Sequence, residues 1–158
     1  VPSRPRVVLD TTIVLQAALH PAGYAGLIFL ALERGSIEAL VSAKLREEYE
    51  AVLFRPSVRA ASSRLTDDVA RDLLDKLYSL ATPFDFVPSL VTYDRDPDDE
   101  PSLNLGIAAR ADFLIAWDRD LRDLAATRDF CLLYPYLRIA SPEEFLTALQ
   151  AAALAEND

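Results

Sequence analysis

Short apolar runs alternate with helix-forming stretches along this chain, and that alternation constrains its fold more than any other feature. Residues 6–10 are β-branched and too short for anything but a buried strand. The next stretch, 11–19, predicts a helix that stops at His20-Pro21, because the residue before proline avoids helical angles. A second helix over 23–34 offers Leu27, Phe29 and Leu30 to a core and ends at Gly35. A strand follows at 37–41, and Ser42 caps a helix running to about 54, ahead of Pro56. Thr66 caps an amphipathic helix with Val69, Leu73, Leu74, Leu77 and Leu80 at helical spacing, and Asp67 and Asp68 suit its positive end. Beyond it come a short strand at 84–87, a polar loop, a helix over about 102–110, a strand at 113–116 and a short helix. The last strand falls at 130–133 or at 137–140, and Ser141-Pro142-Glu143-Glu144 has the residues of a helix start. Strands alternating with helices imply an α/β fold, a mainly parallel sheet covered on both faces.

At 158 residues the chain fits one domain, residues 1–158, with 1–5 and 151–158 read as frayed tails. Hydrophobic residues at 51% and charged residues at 26% are ordinary for a globular protein. The single cysteine, Cys131, sits in the run Phe130-Cys131-Leu132-Leu133 and reads as a buried structural thiol, with no disulfide framework implied. No apolar run reaches the length of a membrane span, and the opening residues lack the apolar region of a signal peptide, so the expectation is cytoplasmic. Acids outnumber bases 25 to 16, a net charge of −9. Proteins that grip long duplexes without sequence preference rely on a basic face, so this balance favours a short or locally held substrate. Arg55, Arg59 and Arg64 form the one basic stretch free of acids; a solvated loop is favoured there over a phosphate contact.

Four acids stand where elements begin or end: Asp10, Glu48, Asp99 and Asp118. Asp10 and Asp118 each follow a buried strand, the edge where open α/β sheets bind ligands. One aspartate in such a place is usually a helix cap, and two together weaken that explanation. Glu48 lies three residues after Leu45 and four before Val52, so it borders the buried stripe while Glu47 and Glu50 turn to water. In the acidic run from Asp94 to Glu100, a calcium loop would need glycine where Asp99 stands and glutamate where Leu105 stands. Asp94, Asp96 and Asp98 read as a solvated turn, and Asp99 as the candidate. Converging carboxylates do not stay ionised together without a cation, and an all-oxygen set favours Mg²⁺ or Mn²⁺ over zinc. His20 has no nucleophile near it, and four glycines supply no phosphate loop.

The run from Val7 to Val14 (Val-Val-Leu-Asp-Thr-Thr-Ile-Val) resembles the first motif of the PIN-domain ribonucleases. The helix from Ser42 to Leu53 with Arg55-Pro56 is similar to the second motif, Arg95-Asp96-Pro97-Asp98-Asp99-Glu100 to the third, and Ala111 to Leu121 to the fourth. Ser141-Pro142-Glu143-Glu144-Phe145-Leu146 resembles the start of the family's last helix. The resemblance implies a three-layer α/β/α sandwich and a divalent-metal site of Asp10, Glu48, Asp99 and Asp118, with Asp120 assisting and Thr12 bonding a carboxylate or a metal-bound water. It implies hydrolysis of RNA, single-stranded or structured, by an endoribonuclease that is often the toxin of a toxin–antitoxin pair, with an antitoxin protein and a second copy of the chain as partners.

The chain departs from the family at several positions. Ala116 replaces the usual hydroxyl residue two before the fourth acid, and Trp117 fills a small or polar position. Gly106 stands for an alanine, Pro101-Ser102 for a polar-aromatic pair, and residues 130–138 run long. Two other readings compete with the nuclease. A phosphatase of the haloacid dehalogenase type needs a second aspartate where Thr12 stands and a downstream lysine, yet only Lys44 and Lys76 exist. A catalytically weak binding module that keeps the fold takes its support from Ala116 and Trp117.

Overall fold

The computed structural model of the chain describes Pro2 and residues 4–157. Its five strands are β1 (Arg6–Leu9), β2 (Glu38–Val41), β3 (Thr82–Pro83), β4 (Phe113–Ile115) and β5 (Arg138–Ala140). They form one sheet in the order β3-β2-β1-β4-β5, and every pairing is parallel. All three residues of β4 are buried. Successive strand residues face opposite sides, so both faces of the sheet are covered. The architecture is the expected three-layer α/β/α sandwich.

The covering helices are α1 (Thr11–Leu19), α2 (Tyr24–Glu33), α3 (Ala43–Leu53), α4 (Pro56–Ala61), α5 (Asp67–Leu80), α6 (Glu100–Ala108), α7 (Arg119–Ala125), α8 (Arg128–Leu133) and α9 (Pro142–Ala155). A 3₁₀ turn, Pro97–Asp99, leads into α6. The predicted caps are in place: Ser42 Oγ accepts from the Leu45 amide, Thr66 Oγ1 from Val69 and Ser141 Oγ from Glu144. Gly35 closes α2 at φ +73°, a left-handed angle that glycine takes without strain.

The chain leaves β1 for β2 and β3 on one side and then crosses to β4 and β5 on the other. That reversal opens a crevice between the carboxyl ends of β1 and β4. The register sets Leu9 opposite Ile115, and the Asp10 amide donates to the Ile115 carbonyl at 3.0 Å, extending the ladder one residue. Below the crevice, Phe145 of α9 meets Phe113 edge-on at 5.0 Å. On the α3 side, the Tyr49 hydroxyl, fully buried, donates to the Leu9 carbonyl.

Several expectations are corrected. The third strand is Thr82–Pro83 rather than 84–87: the Phe84 amide reaches the Val41 carbonyl at 2.8 Å, and the chain then leaves the sheet with Phe86 87% exposed. A strand there had no second face to bury. Residues 130–133 are helical, capped by Thr127, and 138–140 supply the last strand. In that helix only Phe130 is buried, so Cys131 is an exposed thiol and not a core one. Residues 55–64 are not a plain loop: Pro56–Ala61 is helical, and Arg59 donates to the Leu65 carbonyl and pairs with Asp67. Leu27, Leu30, Val69 and Leu80, all expected to pack inward, lie at the surface, each 37–44% exposed. Helix α9 continues through Ala155, into the stretch read as a frayed tail, while Val1, Ser3 and Asp158 lie outside the described residues.

Among the described residues no single helix is long and apolar enough to cross a membrane; α1 and α2 together have the composition but turn through 97°. Gly26 permits that turn. A Cβ there would sit 1.8 Å from the Pro21 carbonyl oxygen, a clash with backbone that no rotamer relieves. Helix propensity alone favours alanine over glycine by about 1 kcal/mol. Gly26→Ala is nonetheless expected to destabilise the chain by about 1–3 kcal/mol, the usual cost of overpacking, read as a lower urea midpoint.

Candidate metal centre

Asp10 leaves β1 in extended conformation at the head of α1, and its carboxylate makes no cap bond to that helix. Both of its oxygens are turned to hydroxyls instead. Thr12 Oγ1 donates to Oδ2 at 3.1 Å, and Ser102 Oγ lies 3.2 Å from Oδ1. Ser102 also lies 3.0 Å from the Asp99 carbonyl, so its single proton serves one acceptor or the other. Burial pushes the Asp10 carboxyl above the ordinary range against the pull of these hydroxyls, and the Asp118 charge adds to the rise.

Carboxylate oxygens of Asp96, Asp99 and Asp118 lie within 4.8 Å of one another. Three separate devices bring them there. Asp118 ends the segment after β4 and caps α7, with Oδ1 accepting from the Asp120 amide at 2.7 Å. Asp96 heads the 3₁₀ turn and accepts from the Asp98 amide at 3.0 Å. Asp99, at the junction of that turn with α6, is buried and makes no cap bond. The long loop before Asp96 is fastened to α6: Asn104 Oδ1 accepts from the Leu90 and Val91 amides at 2.9 Å each, and Glu100 Oε1 from the Tyr93 amide at 2.8 Å.

Asp99 Oδ2 and the Tyr93 hydroxyl are buried without a hydrogen-bond partner among the described residues. An unpartnered buried oxygen ordinarily costs about 1–3 kcal/mol. Burial and the charges of Asp10, Asp96 and Asp118 push the Asp99 carboxyl up to about 8. Burial and the Asp120 and Asp118 charges raise the Tyr93 phenol. An orphaned oxygen at the centre of three converging carboxylates suits a hard divalent cation.

Glu48 stands outside this group. It is half-buried on α3 and lines a recess of about 320 Å³ with Ser42, Pro97, Pro101 and Asn104. Partial burial first, and the Asp98 charge second, raise its carboxyl. Asp120 is exposed and paired with Arg95 at 2.9 Å. A larger cleft, about 610 Å³, lies along β5 and α9 and holds no converging acids.

A profile of the PIN domain matches residues 6–120. The chain belongs to the PIN-domain family. A solved structure titled VapBC2 from Rickettsia felis, bound to a DNA fragment from their promoter, contains a chain of the same fold, with a TM-score of 0.53 and 16% identity over 86% of this chain and 98% of that one. No curated protein sequence matches this chain. Membership sets aside the haloacid dehalogenase reading.

In this PIN domain, then, Asp99 and Asp118 meet, Asp10 lies at the same sheet edge, Glu48 borders it and Asp120 faces an arginine. Asp96, read from the sequence as a solvated turn, is instead drawn into the cluster. Tyr93 escaped notice, and Ser102 was noted only as a departure from the family pattern. The signal for two of them was spacing: Asp96, Asp99 and Ser102 follow one another at intervals of three, one side of a tight turn and the helix it opens.

The Asp99 shift has a sign that can be tested. An unfolded chain loses the proton near pH 4, whereas the metal-free fold keeps it to about 8. The unfolded state therefore binds fewer protons between those values, and stability from this group is full below pH 4 and lost as pH rises through 8. In EDTA the protein is expected to unfold at lower urea at pH 8.5 than at pH 5. Asp99→Asn, which mimics the protonated acid, is expected to shallow that slope, raise the midpoint at pH 8.5 and abolish metal binding in calorimetry.

Proposed function

We propose that this PIN domain is a divalent-metal-dependent endoribonuclease, hydrolysing phosphodiester bonds at the edge where Asp10, Asp96, Asp99 and Asp118 gather. The observation that carries the reading is Asp99 Oδ2, buried without a hydrogen-bond partner among the described residues and grouped with the carboxylates of Asp96 and Asp118. Mg²⁺ or Mn²⁺, when bound, supplies a Lewis acid to the scissile phosphate and an acidified water. Asp96, Asp99 and Asp118 would hold the ion, with Asp10 beside them. Thr12 and Ser102 fix the Asp10 carboxylate so that it presents the same oxygens throughout the reaction. Glu48, with its raised carboxyl at the margin, is placed to orient the attacking water and take its proton. The water adds to phosphorus, the bond to the leaving ribose oxygen breaks, and that oxygen takes up a proton.

RNA is favoured over long duplex DNA because a net charge of −9 gives no extended phosphate grip. A cytoplasmic reaction is part of the same proposal. The shared fold with the Rickettsia felis chain, solved as VapBC2 bound to promoter DNA, supports a toxin role with an antitoxin partner; an antitoxin covering the acidic edge and a homodimer as the assembled form belong to the same proposal. One observation favours the weaker reading, a binding module of low activity: Ala116 is fully buried at the site and offers no hydroxyl.

Labelled single-stranded RNA is expected to be cut with Mg²⁺ or Mn²⁺ and left whole in EDTA. Asp10→Asn is expected to lower kcat at least 100-fold, roughly the scale of losing one group that stabilises transition-state charge. Ion binding in calorimetry without cleavage of any RNA would favour the binding module, and absence of ion binding would overturn the metal centre itself.

A further inference from the structure

Trp117 is the only tryptophan in the chain, and it immediately precedes Asp118. Its strand is still paired at Ala116, whose amide donates to the Ala140 carbonyl at 3.0 Å and whose side chain is buried. The next residue stands beyond this last pairing, and the indole is 41% exposed. Among the described residues it pairs with no other ring, has no cation over its face and makes no hydrogen bond through Nε1. Part of the indole face is therefore open to solvent with no partner on it. On the other side of Asp118 stands Arg119, exposed and free of any ion pair among the described residues. Arg59, Arg95 and Arg122, by contrast, are each held by an acid.

Three consecutive residues thus present an aromatic face, a carboxylate of the metal cluster and a free guanidinium. We propose that Trp117 is a stacking platform for one unpaired nucleobase beside the scissile phosphate, with Arg119 on the adjoining phosphate. The proposal rests on the nuclease reading and narrows its substrate to strands with an unpaired base at the cut. A base inside a duplex has both faces covered and offers none. Stacking also suits an acid-rich protein: it adds about 1–3 kcal/mol per base without requiring positive charge, where an acidic surface repels the strand. The position, one residue from an acid of the cluster, separates this indole from apolar side chains scattered singly over a surface.

Because Trp117 is alone, indole emission reports on it without interference. The full chain carrying Asp10→Asn, which leaves the strand uncut, is titrated with a short single-stranded oligoribonucleotide, the same strand with abasic sugars, and its duplex. The intact strand is expected to quench the emission, and the abasic strand and the duplex to leave it unchanged. Fluorescence anisotropy of the labelled intact strand is expected to show binding about 5- to 150-fold weaker after Trp117→Ala, the fold-change that one stacked base represents, with most affinity kept by Trp117→Phe. In the cutting enzyme, Trp117→Ala is expected to raise KM by more than it lowers kcat, with the urea midpoint unmoved. Equal quenching by intact and abasic strands, or equal binding by Trp117→Ala, overturns the stacking role while metal-dependent cleavage stands. If no oligoribonucleotide binds and none is cut, the nuclease reading falls and this inference falls with it.

Discussion

Mutual repulsion among buried carboxylates is the constraint around which this structure is arranged. Two unit charges 4 Å apart near a protein surface oppose each other by about 4 kcal/mol, and Asp96, Asp99 and Asp118 bring oxygens within 4.8 Å with Asp10 close by. A chain free to relax would turn these side chains to water. It does not, because each backbone position is fixed by something unrelated to the acids: the ladder of β1 on β4 for Asp10, the cap of α7 for Asp118 and the pinned loop before α6 for Asp96 and Asp99. The sheet and its loops hold the repulsion in place, and Asp99 meets it by keeping a proton to about 8 when no cation is there.

The same logic explains the polar groups around the site. Thr12 and Ser102 steady Asp10 from two directions, one from α1 and one from α6. Tyr49 uses its hydroxyl on the Leu9 carbonyl, tying α3 to the strand end from which Asp10 projects. Its neighbour Glu48 is thereby held at a set distance from Asp10 without touching the central cluster. This division gives one group of acids that gathers charge and one acid at the rim in contact with solvent.

The fold was legible because buried strands and capped helices announce themselves locally. Residues 6–10, 37–41 and 113–116 are short apolar runs, and Ser42, Thr66 and Ser141 cap as their types predict. Failures came where burial was decided by remote packing. Residues 130–133 have the composition of a strand, yet Thr127 starts a helix there and leaves Leu132 and Leu133 in solvent. Phe84 and Phe86 resemble a strand, but edge position gave them no second layer. In the site, Asp10, Asp99 and Asp118 were visible as acids at element ends. Asp96 was hidden among three other aspartates of a polar run, and only the turn geometry distinguishes it. Ser102 was visible merely as a departure from a family pattern.

That departure belongs to a set. Ala116 removes a hydroxyl from the sheet side of the site, and Ser102 provides one from the helix side, 3.2 Å from Asp10. For the hydroxyl to reach, α6 must lie close against the layer beneath it. Gly106, one turn beyond Ser102 on the same face, leaves room there: a Cβ would stand 3.3 Å from Leu137 Cδ2, and the leucine would have to give by a few tenths of an ångström. A lengthened donor–acceptor distance beyond 3.2 Å would leave Asp10 with Thr12 alone. With Ala116 bare, the hydroxyls that reach Asp10 come from helices on either side, Thr12 on α1 and Ser102 on α6, and none comes from the strand.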